Sequence, residues 1–285
     1  MNCQDQIYSE EYIDFIGNRS LIESKYTLDC KQPLGARFAS LYLKLSDGYE
    51  DGTVYGYYNI PKLFGLQDTG SMESSGILQV RENPYLKLDG SGVLIGFVDT
   101  GIDYAGSIFL KQDGTTRVTA IWDQTIPAGS PIRLPAQPEL PETPENITRT
   151  PEGFLYGSEF THEQLNAAVK MADAYEGISS RDENGHGTFL ASIAAGNELP
   201  DGSFTGAAPK ADIAMVKLKP AKNRLRAYYQ IKEDAVAYQE NDIMAGVLYL
   251  VSLAQKRQPP LVICLGLGTN AGSPPGGLPL ARMVV

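Results

Sequence analysis

Predominantly apolar segments alternate with amphipathic ones through most of the chain, and this alternation predicts an α/β fold. Residues 93–98 form an almost continuous apolar run, which is typical of a strand buried on both faces of a parallel sheet. Further strands are predicted at residues 117–122, 211–218 and 262–268. Asp99 ends the first of these runs, so its carboxylate is expected at the carboxyl end of a strand, where open α/β sheets bind their ligands.

Three amphipathic segments predict helices between these strands. The first opens at a capping box of Thr161 and Gln164, the second begins at His186, and the third begins near Asp242. The side chains expected on the inward faces are Leu165, Ala168, Val169 and Ala172 in the first helix, Phe189, Leu190, Ile193 and Ala194 in the second, and Ile243, Val247, Leu250, Val251 and Ala254 in the third. His162 falls in the first turn of the first helix and is predicted to be exposed to solvent.

The beginning of the chain differs from the rest and predicts a small N-terminal α+β segment. Residues 38–45 suggest a strand, residues 60–66 suggest a helix, and a Gly/Ser-rich junction follows at residues 70–76. A domain boundary is therefore expected near residue 72. Later in the chain, residues 126–152 are rich in proline and are predicted to form a loop too polar to pack.

Composition narrows the class of protein without identifying a function. A chain of 285 residues, 42% hydrophobic and 20% charged, can hold one large core, with or without a small appended domain. Its 34 acidic and 24 basic residues give a net charge of −10, which argues against nucleic acid or an anionic membrane as a partner. No apolar run approaches the ~18 residues of a membrane span, and no secretory signal is evident at the N-terminus.

The three cysteines are predicted to be reduced. They are Cys3, Cys30 and Cys264, an odd number in a chain without an evident signal peptide. This fits free thiols better than a disulfide framework. Cys264 is expected to be buried in a strand.

Two short motifs carry the candidate chemistry. Asp99 lies in VDTGID at residues 98–103, and His186 lies in DENGHGT at residues 182–188, between two glycines that let the backbone approach a neighbour closely. Each motif has a simpler explanation, because Asp-Thr-Gly also forms an ordinary turn and a histidine can satisfy a purely structural hydrogen bond. A serine hydroxyl becomes a nucleophile when a histidine takes its proton and a carboxylate orients that histidine, and Asp99 and His186 suit these two tasks.

Taken in this order, the two motifs resemble those of the subtilisin-like serine proteases, the subtilase family, whose catalytic residues run Asp, His, Ser. The resemblance extends from about Gly76 to the C-terminus, and it includes a turn, GAAP at residues 206–209, and a substrate-binding strand, VICLGLG at residues 262–268. It implies a three-layer α/β/α fold around a mostly parallel central sheet, truncated at its C-terminus. IWDQT at residues 121–125 and YGSEF at residues 156–160 further resemble bacterial subtilases related to spore-germination proteases, a group with catalytically inactive members.

The resemblance assigns Asp99 and His186 as catalytic residues but supplies no nucleophile. The chain contains no Gly-Thr-Ser-x-Ala turn, in which the family's Ser stands, and no Asn in the family's oxyanion position. Ser273 is predicted to lie in a Gly-Ser-Pro-Pro loop, and Asn270 precedes the helix after which the family places its Asn. Residues 278–285 resemble the first turns of that helix. We therefore expect a truncated product, a fragment or one half of a split enzyme, in which a missing C-terminal segment supplies the serine.

The same resemblance divides the chain into two parts. Residues 1–72 correspond to a prosegment that would template folding and fill the substrate cleft, and the alternative is an extension packed on the core. Residues 73–285 correspond to a partial catalytic domain. An insertion is expected at residues 126–160, because 87 positions separate Asp99 from His186.

Two segments resemble the edges of the family's cleft, which bind an extended peptide by strand addition. One edge contains Gln239 and Glu240, and the other contains Gly266, Leu267 and Gly268, with Gly266 where the family has Ser. The alternative is that each segment is an ordinary loop at the end of a sheet.

Calcium is the only cofactor that the resemblance suggests. NELPDG at residues 197–202 offers oxygen ligands in a loop where many subtilases bind calcium, but it is also typical of a plain surface turn, and no metal site is assigned. The chain departs from the family after His186, where Phe189 replaces a second His and Ser192 replaces a Gly. These changes affect packing more than proton transfer.

Three functions remain open. The first is a serine endopeptidase acting on a peptide or protein substrate, with its serine outside this sequence. The second is a non-catalytic relative that binds a peptide or a partner protease. The third is an aspartic protease built on the Asp-Thr-Gly at residues 99–101, which leaves the His186 turn unexplained. A cytoplasmic or spore-associated location is expected.

The first hypothesis makes a geometric prediction. Asp99 should lie within hydrogen-bond reach of Nδ1 of His186 at one edge of a parallel sheet. Gly101 and Gly187 should stand where the backbone has a positive φ or approaches another backbone closely.

Overall fold

The computed structural model describes residues 2–25, 30–44, 59–66, 88–135, 147–202, 204–269 and 279–280. Three sequence predictions lie outside these residues: the Gly/Ser-rich junction, the Ser273 loop with Asn270, and most of the terminal helix. In the described residues, the strands are β1 (Tyr12–Asn18), β2 (Lys31–Leu34), β3 (Phe38–Lys44), β4 (Leu63–Leu66), β5 (Leu94–Asp99), β6 (Val118–Asp123), β7 (Ser158–Thr161), β8 (Asp212–Lys217), β9 (Tyr238–Gln239), β10 (Leu261–Cys264) and β11 (Leu267–Gly268). The α-helices are α1 (Cys3–Tyr8), α2 (Arg19–Lys25), α3 (His162–Val169), α4 (Ala174–Gly177), α5 (His186–Ala195), α6 (Asn223–Tyr228) and α7 (Glu240–Arg257).

A five-stranded sheet in the order β10-β5-β8-β6-β7 forms the centre of the molecule. The first four strands are parallel and β7 is antiparallel at one edge, so the fold is α/β with a mostly parallel sheet, as predicted. Successive side chains of β5 point to opposite faces of the sheet. Leu94 and Val98 belong to the hydrophobic cluster that includes Leu250 of α7, whereas Ile95 and Phe97 belong to the cluster that includes Leu190 of α5. Helices therefore cover both faces, which gives the three layers.

The N-terminal region forms its own antiparallel sheet in the order β1-β3-β2, with α1 and α2 beside it. Cys3 begins α1 and Cys30 directly precedes β2, and the two are joined by a disulfide with their Cα atoms 5.1 Å apart. The prediction of three reduced thiols is wrong, because a cysteine count carries no information on which residues the fold brings together. Cys264 is free and lies in β10, but it is only half-buried.

The segment predicted as a helix at residues 60–66 is instead the strand β4. It pairs antiparallel with β9 on one side and with β11 on the other, which gives a small three-stranded sheet in the order β11-β4-β9. The prediction is wrong because these partners follow in the sequence by more than 170 residues, and pairing on both sides overrides a weak local pattern. This strand brings the N-terminal region into contact with the rest of the protein.

The proline-rich region packs more than its composition predicts. Ile132, Thr148 and Tyr156 are buried, and residues 158–161 form β7 of the central sheet. The prediction of a loop too polar to pack is therefore wrong for the described parts of residues 126–152, since isolated bridges and buried side chains hold them on the core. Residues 136–146 lie outside the described part.

The helices begin close to the predicted residues, but some side chains that were predicted to face inward do not. The helix at His186 buries Leu190, Ala191 and Ala195, but Phe189 is 50% exposed rather than inward. Helix α3 ends at Val169, so Ala172 lies beyond it and is exposed. His162 is half-buried, and its Nε2 lies 3.1 Å from the Thr116 carbonyl oxygen. Within the described residues, the structure contains no helix long and apolar enough to cross a membrane.

Candidate active site

Asp99 is the last residue of β5 and is fully buried at the carboxyl edge of the central sheet. Its Oδ1 accepts a hydrogen bond of 2.7 Å from the Thr100 backbone N–H and lies 2.8 Å from Nδ1 of His186. Burial raises the pKa of Asp99, and the hydrogen bonds from His186 and Thr100 oppose that rise. The structure thus places Asp99 and His186 together across 87 positions of sequence, as predicted.

His186 is the first residue of α5 and owes its position to the glycines around it. Gly185 caps the helix with a φ of +88°, and Gly187 donates its backbone N–H to Oγ1 of Thr100 at 2.8 Å. A Cβ on Gly187 would lie 2.2 Å from the carbonyl oxygen of Gly101, which itself has a φ of +131°. The two loops therefore touch backbone to backbone, as the sequence predicted for Gly101 and Gly187.

Asp182 is a functional residue that the sequence analysis did not single out. Its Oδ1 accepts hydrogen bonds from Oγ1 of Thr100 at 2.8 Å and from the Gly185 N–H at 2.9 Å. Its Oδ2 accepts hydrogen bonds from the backbone N–H and the hydroxyl of Thr188, at 2.9 and 2.6 Å. One carboxylate thus ties the Asp99 loop to both sides of His186. The sequence feature that indicates this role is the position of Asp182 four residues before the Gly-flanked His186, where an Asx turn is common.

Replacing Asp182 with alanine is expected to destabilise the protein by about 2–3 kcal/mol, because five donors, the Asn184 backbone N–H among them, lose a charged acceptor. Burial alone would raise the pKa of Asp182, but the hydrogen bonds from Thr188, Gly185 and Thr100 lower it below its ordinary value. A lowered pKa means that the stabilisation is present above the ordinary pKa and is lost as the pH falls through the lowered one. Urea unfolding of both proteins should therefore show a difference near neutral pH that shrinks in strong acid.

Asp113 provides the matched control for this substitution. It makes the same type of turn contact, to the N–H and the hydroxyl of Thr115, but on an exposed surface away from Asp99 and His186. Asp113→Ala should cause a clearly smaller loss of stability. Equal losses for the two variants would contradict the role of Asp182 in joining the two loops.

One predicted edge of the substrate cleft, the one that begins at Gly266, lies beside this pair. A Cβ on Gly266 would lie 3.3 Å from both Oδ2 of Asp99 and Cε1 of His186, and 2.2 Å from Cδ1 of Leu190. Only a glycine fits there without displacing Leu190. Leu267 and Gly268 follow directly as β11, on the side of the cleft nearest the Asp–His pair.

Strand β4 fills the space between the two edges. Leu66 and Gly65 lie opposite Leu267 and Gly268 of β11. On the other side, Leu63 and Phe64 lie opposite Gln239 and Tyr238 of β9. The structure therefore places the five residues predicted to bind substrate, Gly266, Leu267, Gly268, Gln239 and Glu240, on the two sides of one extended segment of the same chain.

The Asn197 side chain, in the loop at residues 197–202 that offers oxygen ligands, is engaged by other protein groups. Oδ1 of Asn197 accepts a hydrogen bond from the Arg117 guanidinium at 2.9 Å, and its Nδ2 faces two backbone carbonyls. A guanidinium on the first candidate ligand does not fit a cation site. Among the described residues, no group of three His, Cys, Asp or Glu side chains could hold a metal ion.

The buried carboxylate, the histidine it contacts and the strand-lined cleft together define a site of the serine-peptidase type. The sequence profile of the subtilase family, Peptidase S8, matches residues 90–278. This chain belongs to the subtilase family of serine-type peptidases.

Individual relatives agree with this assignment. The chain is 29% identical over 190 residues to subtilisin-like protease SBT2.2 of Arabidopsis thaliana, covering 64% of this chain and 20% of that protein. It is 30% identical over 144 residues to SBT3.8 of the same plant, covering 45% of this chain and 16% of that protein. The solved structure of the CspB protease of Clostridium perfringens superposes with a TM-score of 0.53 at 29% identity, over 73% of this chain and 36% of that one. The chain thus spans about a fifth of the length of the Arabidopsis relatives.

Proposed function

We propose that this chain supplies the acid–base pair and the substrate cleft of a serine endopeptidase that acts on peptides or proteins. The observation that carries the proposal is the 2.8 Å contact between Nδ1 of His186 and Oδ1 of the buried Asp99, at one end of a cleft that accepts an extended strand. The aspartic-protease alternative gains no support, because the Asp99 carboxylate is committed to a histidine rather than to a second carboxylate.

Each residue has a defined task in the proposed reaction. Asp99 holds the imidazole with its proton on Nδ1, so Nε2 is the basic nitrogen. A serine Oγ attacks the scissile carbonyl carbon while its proton passes to Nε2, and the same proton then goes to the leaving amine. Water hydrolyses the acyl-enzyme by the reverse sequence of proton transfers. Asp182 holds the loop that follows Asp99 and the turn around His186 in position, and it touches no reacting atom.

The proposed nucleophile comes from sequence outside these 285 residues. No Gly-Thr-Ser-x-Ala occurs in the chain, and the family places its serine in that turn. Without a serine the Asp–His pair has no hydroxyl to deprotonate. The absence of an oxyanion donor would remove a further ~3–4 kcal/mol of transition-state stabilisation.

Residues 1–72 are proposed to act as a prosegment that fills the cleft. Strand β4 enters beside Glu240 and runs toward Leu267, which directly follows the glycine packed against His186. It is antiparallel to both cleft edges, the arrangement expected of a bound peptide. This placement favours a cleft-filling role over an extension that only packs on the core.

The proposal is tested by reading the coding region beyond Val285 and expressing the polypeptide it encodes. If a Gly-Thr-Ser-x-Ala turn follows, the extended protein should react with a fluorophosphonate probe and hydrolyse peptides, and His186→Ala should abolish both activities. Asp99→Asn should lower kcat by about four orders of magnitude. His162→Gln is the matched control and should retain activity, since His162 hydrogen-bonds to Thr116 and follows β7 near the start of β6, at the edge of the sheet opposite Asp99. A folded, unreactive extended protein would instead favour a non-catalytic, peptide-binding relative.

A further inference from the structure

Two side chains, one in β4 and one just before it, are buried more deeply than the backbone pairing of the strand requires. Phe64 is 7% exposed and Lys62, which lies just before β4, is 1% exposed. A lysine is almost never buried this far unless polar groups receive it.

Lys62 is held by Tyr229 and Glu240 from later in the chain, and its Nζ also donates a hydrogen bond of 3.1 Å to the Ile60 carbonyl of its own segment. Its Nζ donates a hydrogen bond of 3.2 Å to the hydroxyl of Tyr229 and lies 5.8 Å from the centre of that ring. Its backbone N–H donates to Oε2 of Glu240 at 3.2 Å, and the Glu240 N–H donates to its carbonyl at 2.8 Å. Glu240 is itself fully buried, and its Oε1 accepts a hydrogen bond from the Leu280 N–H at 2.9 Å. Glu240 thus holds the backbone of this position and places a negative charge near the ammonium, whereas Tyr229 and the Ile60 carbonyl accept its hydrogen bonds.

Phe64 occupies a second, apolar position two residues further along. It is opposite Tyr238 in β9 and belongs to the main hydrophobic cluster, in which Ile243 and Met244 are buried and against which Leu267 packs. Burying a phenylalanine side chain removes a large apolar surface from water, so this position should dominate the affinity of an extended peptide.

We propose that the cleft selects extended peptides that carry a basic side chain two residues before a large apolar one, with Tyr229 and Glu240 reading the basic position. This rests on the proposed function only in that the cleft binds peptides. The sequence KLFGL at residues 62–66 is then a built-in example of the preferred ligand. The observed occupant supports the assignment, because the charge of Glu240 and the ring of Tyr229 complement an ammonium or a guanidinium. Consistent with this, burial lowers the pKa of Lys62 while the Glu240 charge opposes that change.

The test measures peptide binding to the full chain carrying Phe64→Ser, which weakens the strand already in the cleft. A fluorescein-labelled peptide of residues 59–66 is titrated by fluorescence anisotropy, together with Phe64→Ala, Lys62→Met and Lys62→Arg versions of the peptide. The parent and the Lys62→Arg peptides should bind comparably, and the Phe64→Ala and Lys62→Met peptides should each bind about tenfold more weakly. Equal binding of the parent and the Lys62→Met peptides would overturn the proposal, as would no binding of any peptide to the folded variant.

A second substitution in the protein isolates the contact with the basic residue. Tyr229→Phe removes the hydroxyl, so it should weaken binding of the parent peptide severalfold and leave the Lys62→Met peptide unchanged. Tyr228→Phe is the matched control and should affect neither peptide, because Tyr228 is 42% exposed and adjacent in the chain. A Tyr229→Phe effect of the same size on both peptides would overturn the assignment of Tyr229.

Two features keep the test decisive. If the Phe64→Ser chain does not fold, hydrogen exchange of β4 in otherwise unaltered protein replaces it. Lys62→Met and Tyr229→Phe should then each speed exchange, and the double variant should exchange no faster than either; unchanged exchange would overturn the proposal. The assays need no serine, so a failure of selectivity is distinct from a failure of the proposed peptidase chemistry, which labelling of the extended protein reports.

Discussion

Replacing Gly187 with alanine is expected to cost about 3 kcal/mol or more of the free energy of unfolding, the upper part of the range for overpacking. The added Cβ would lie 2.2 Å from the Gly101 carbonyl oxygen and 3.1 Å from the Gly101 nitrogen, and neither backbone atom can move without shifting the Asp99 loop. The hydrogen bond from the Gly187 N–H to Thr100 would be lost with it. Urea or thermal unfolding measures the loss directly.

Gly185→Ala is the control for this prediction. Gly185 has a φ of +88° but no atom within 4 Å of an added Cβ, so its replacement pays only the cost of a left-handed backbone, about 1–2 kcal/mol. The two substitutions add the same methyl group two residues apart. A Gly187→Ala protein as stable as the Gly185→Ala protein would contradict the close contact of the two catalytic loops.

Replacing Asp14 with alanine is expected to cost about 3–5 kcal/mol, the loss typical of breaking a buried ion pair from one side. Asp14 lies in β1 and is fully buried, and its carboxylate accepts hydrogen bonds from Nζ of Lys222, from Nε2 of Gln239 at 2.9 Å and from Nδ2 of Asn241 at 3.2 Å. Its removal leaves a buried ammonium without its counter-charge. Because Gln239 belongs to β9, the same change should loosen the N-terminal region at the cleft.

A double substitution separates the broken pair from a general loss of packing. Asp14→Leu together with Lys222→Met removes both charges and fills similar volume, so it should recover most of the stability lost in Asp14→Ala. Chemical denaturation of the three proteins gives the comparison. A loss below about 1 kcal/mol for Asp14→Ala would show that this buried pair does not hold the N-terminal region on the core.

The contact between Asp99 and His186 could be predicted from sequence because its signals are local. Asp99 ends an apolar strand, and His186 stands between glycines at a helix start, so each motif specifies its own geometry. The order of the motifs then predicts that they meet at one sheet edge. For Asp182 the sequence signals only a local turn before His186, since its link to the Asp99 loop comes from the contact with Thr100, which lies 82 positions earlier.

The features that sequence reasoning missed depend on distant partners. The strand β4 was predicted as a helix because nothing within residues 60–66 reveals β9 and β11, which pair with it from much later in the chain. Cys3 and Cys30 were predicted to be free, because their pairing depends on how α1 packs beside β2. Phe189 was predicted to be inward from helical periodicity alone, yet Leu190 and Ala191 take the buried positions.

A fluorophosphonate reacts only with an activated serine, so labelling of the 285-residue chain reports whether any serine within it completes the proposed site. The chain is assayed as it stands and with Phe64→Ala to open the cleft without adding a serine, each with and without His186→Ala. We expect no His186-dependent labelling in either background, because the proposed acid–base pair has no Gly-Thr-Ser-x-Ala serine to deprotonate. Stoichiometric labelling that His186→Ala abolishes would show that a serine within these residues completes the site and would contradict the proposal that the nucleophile comes from other sequence.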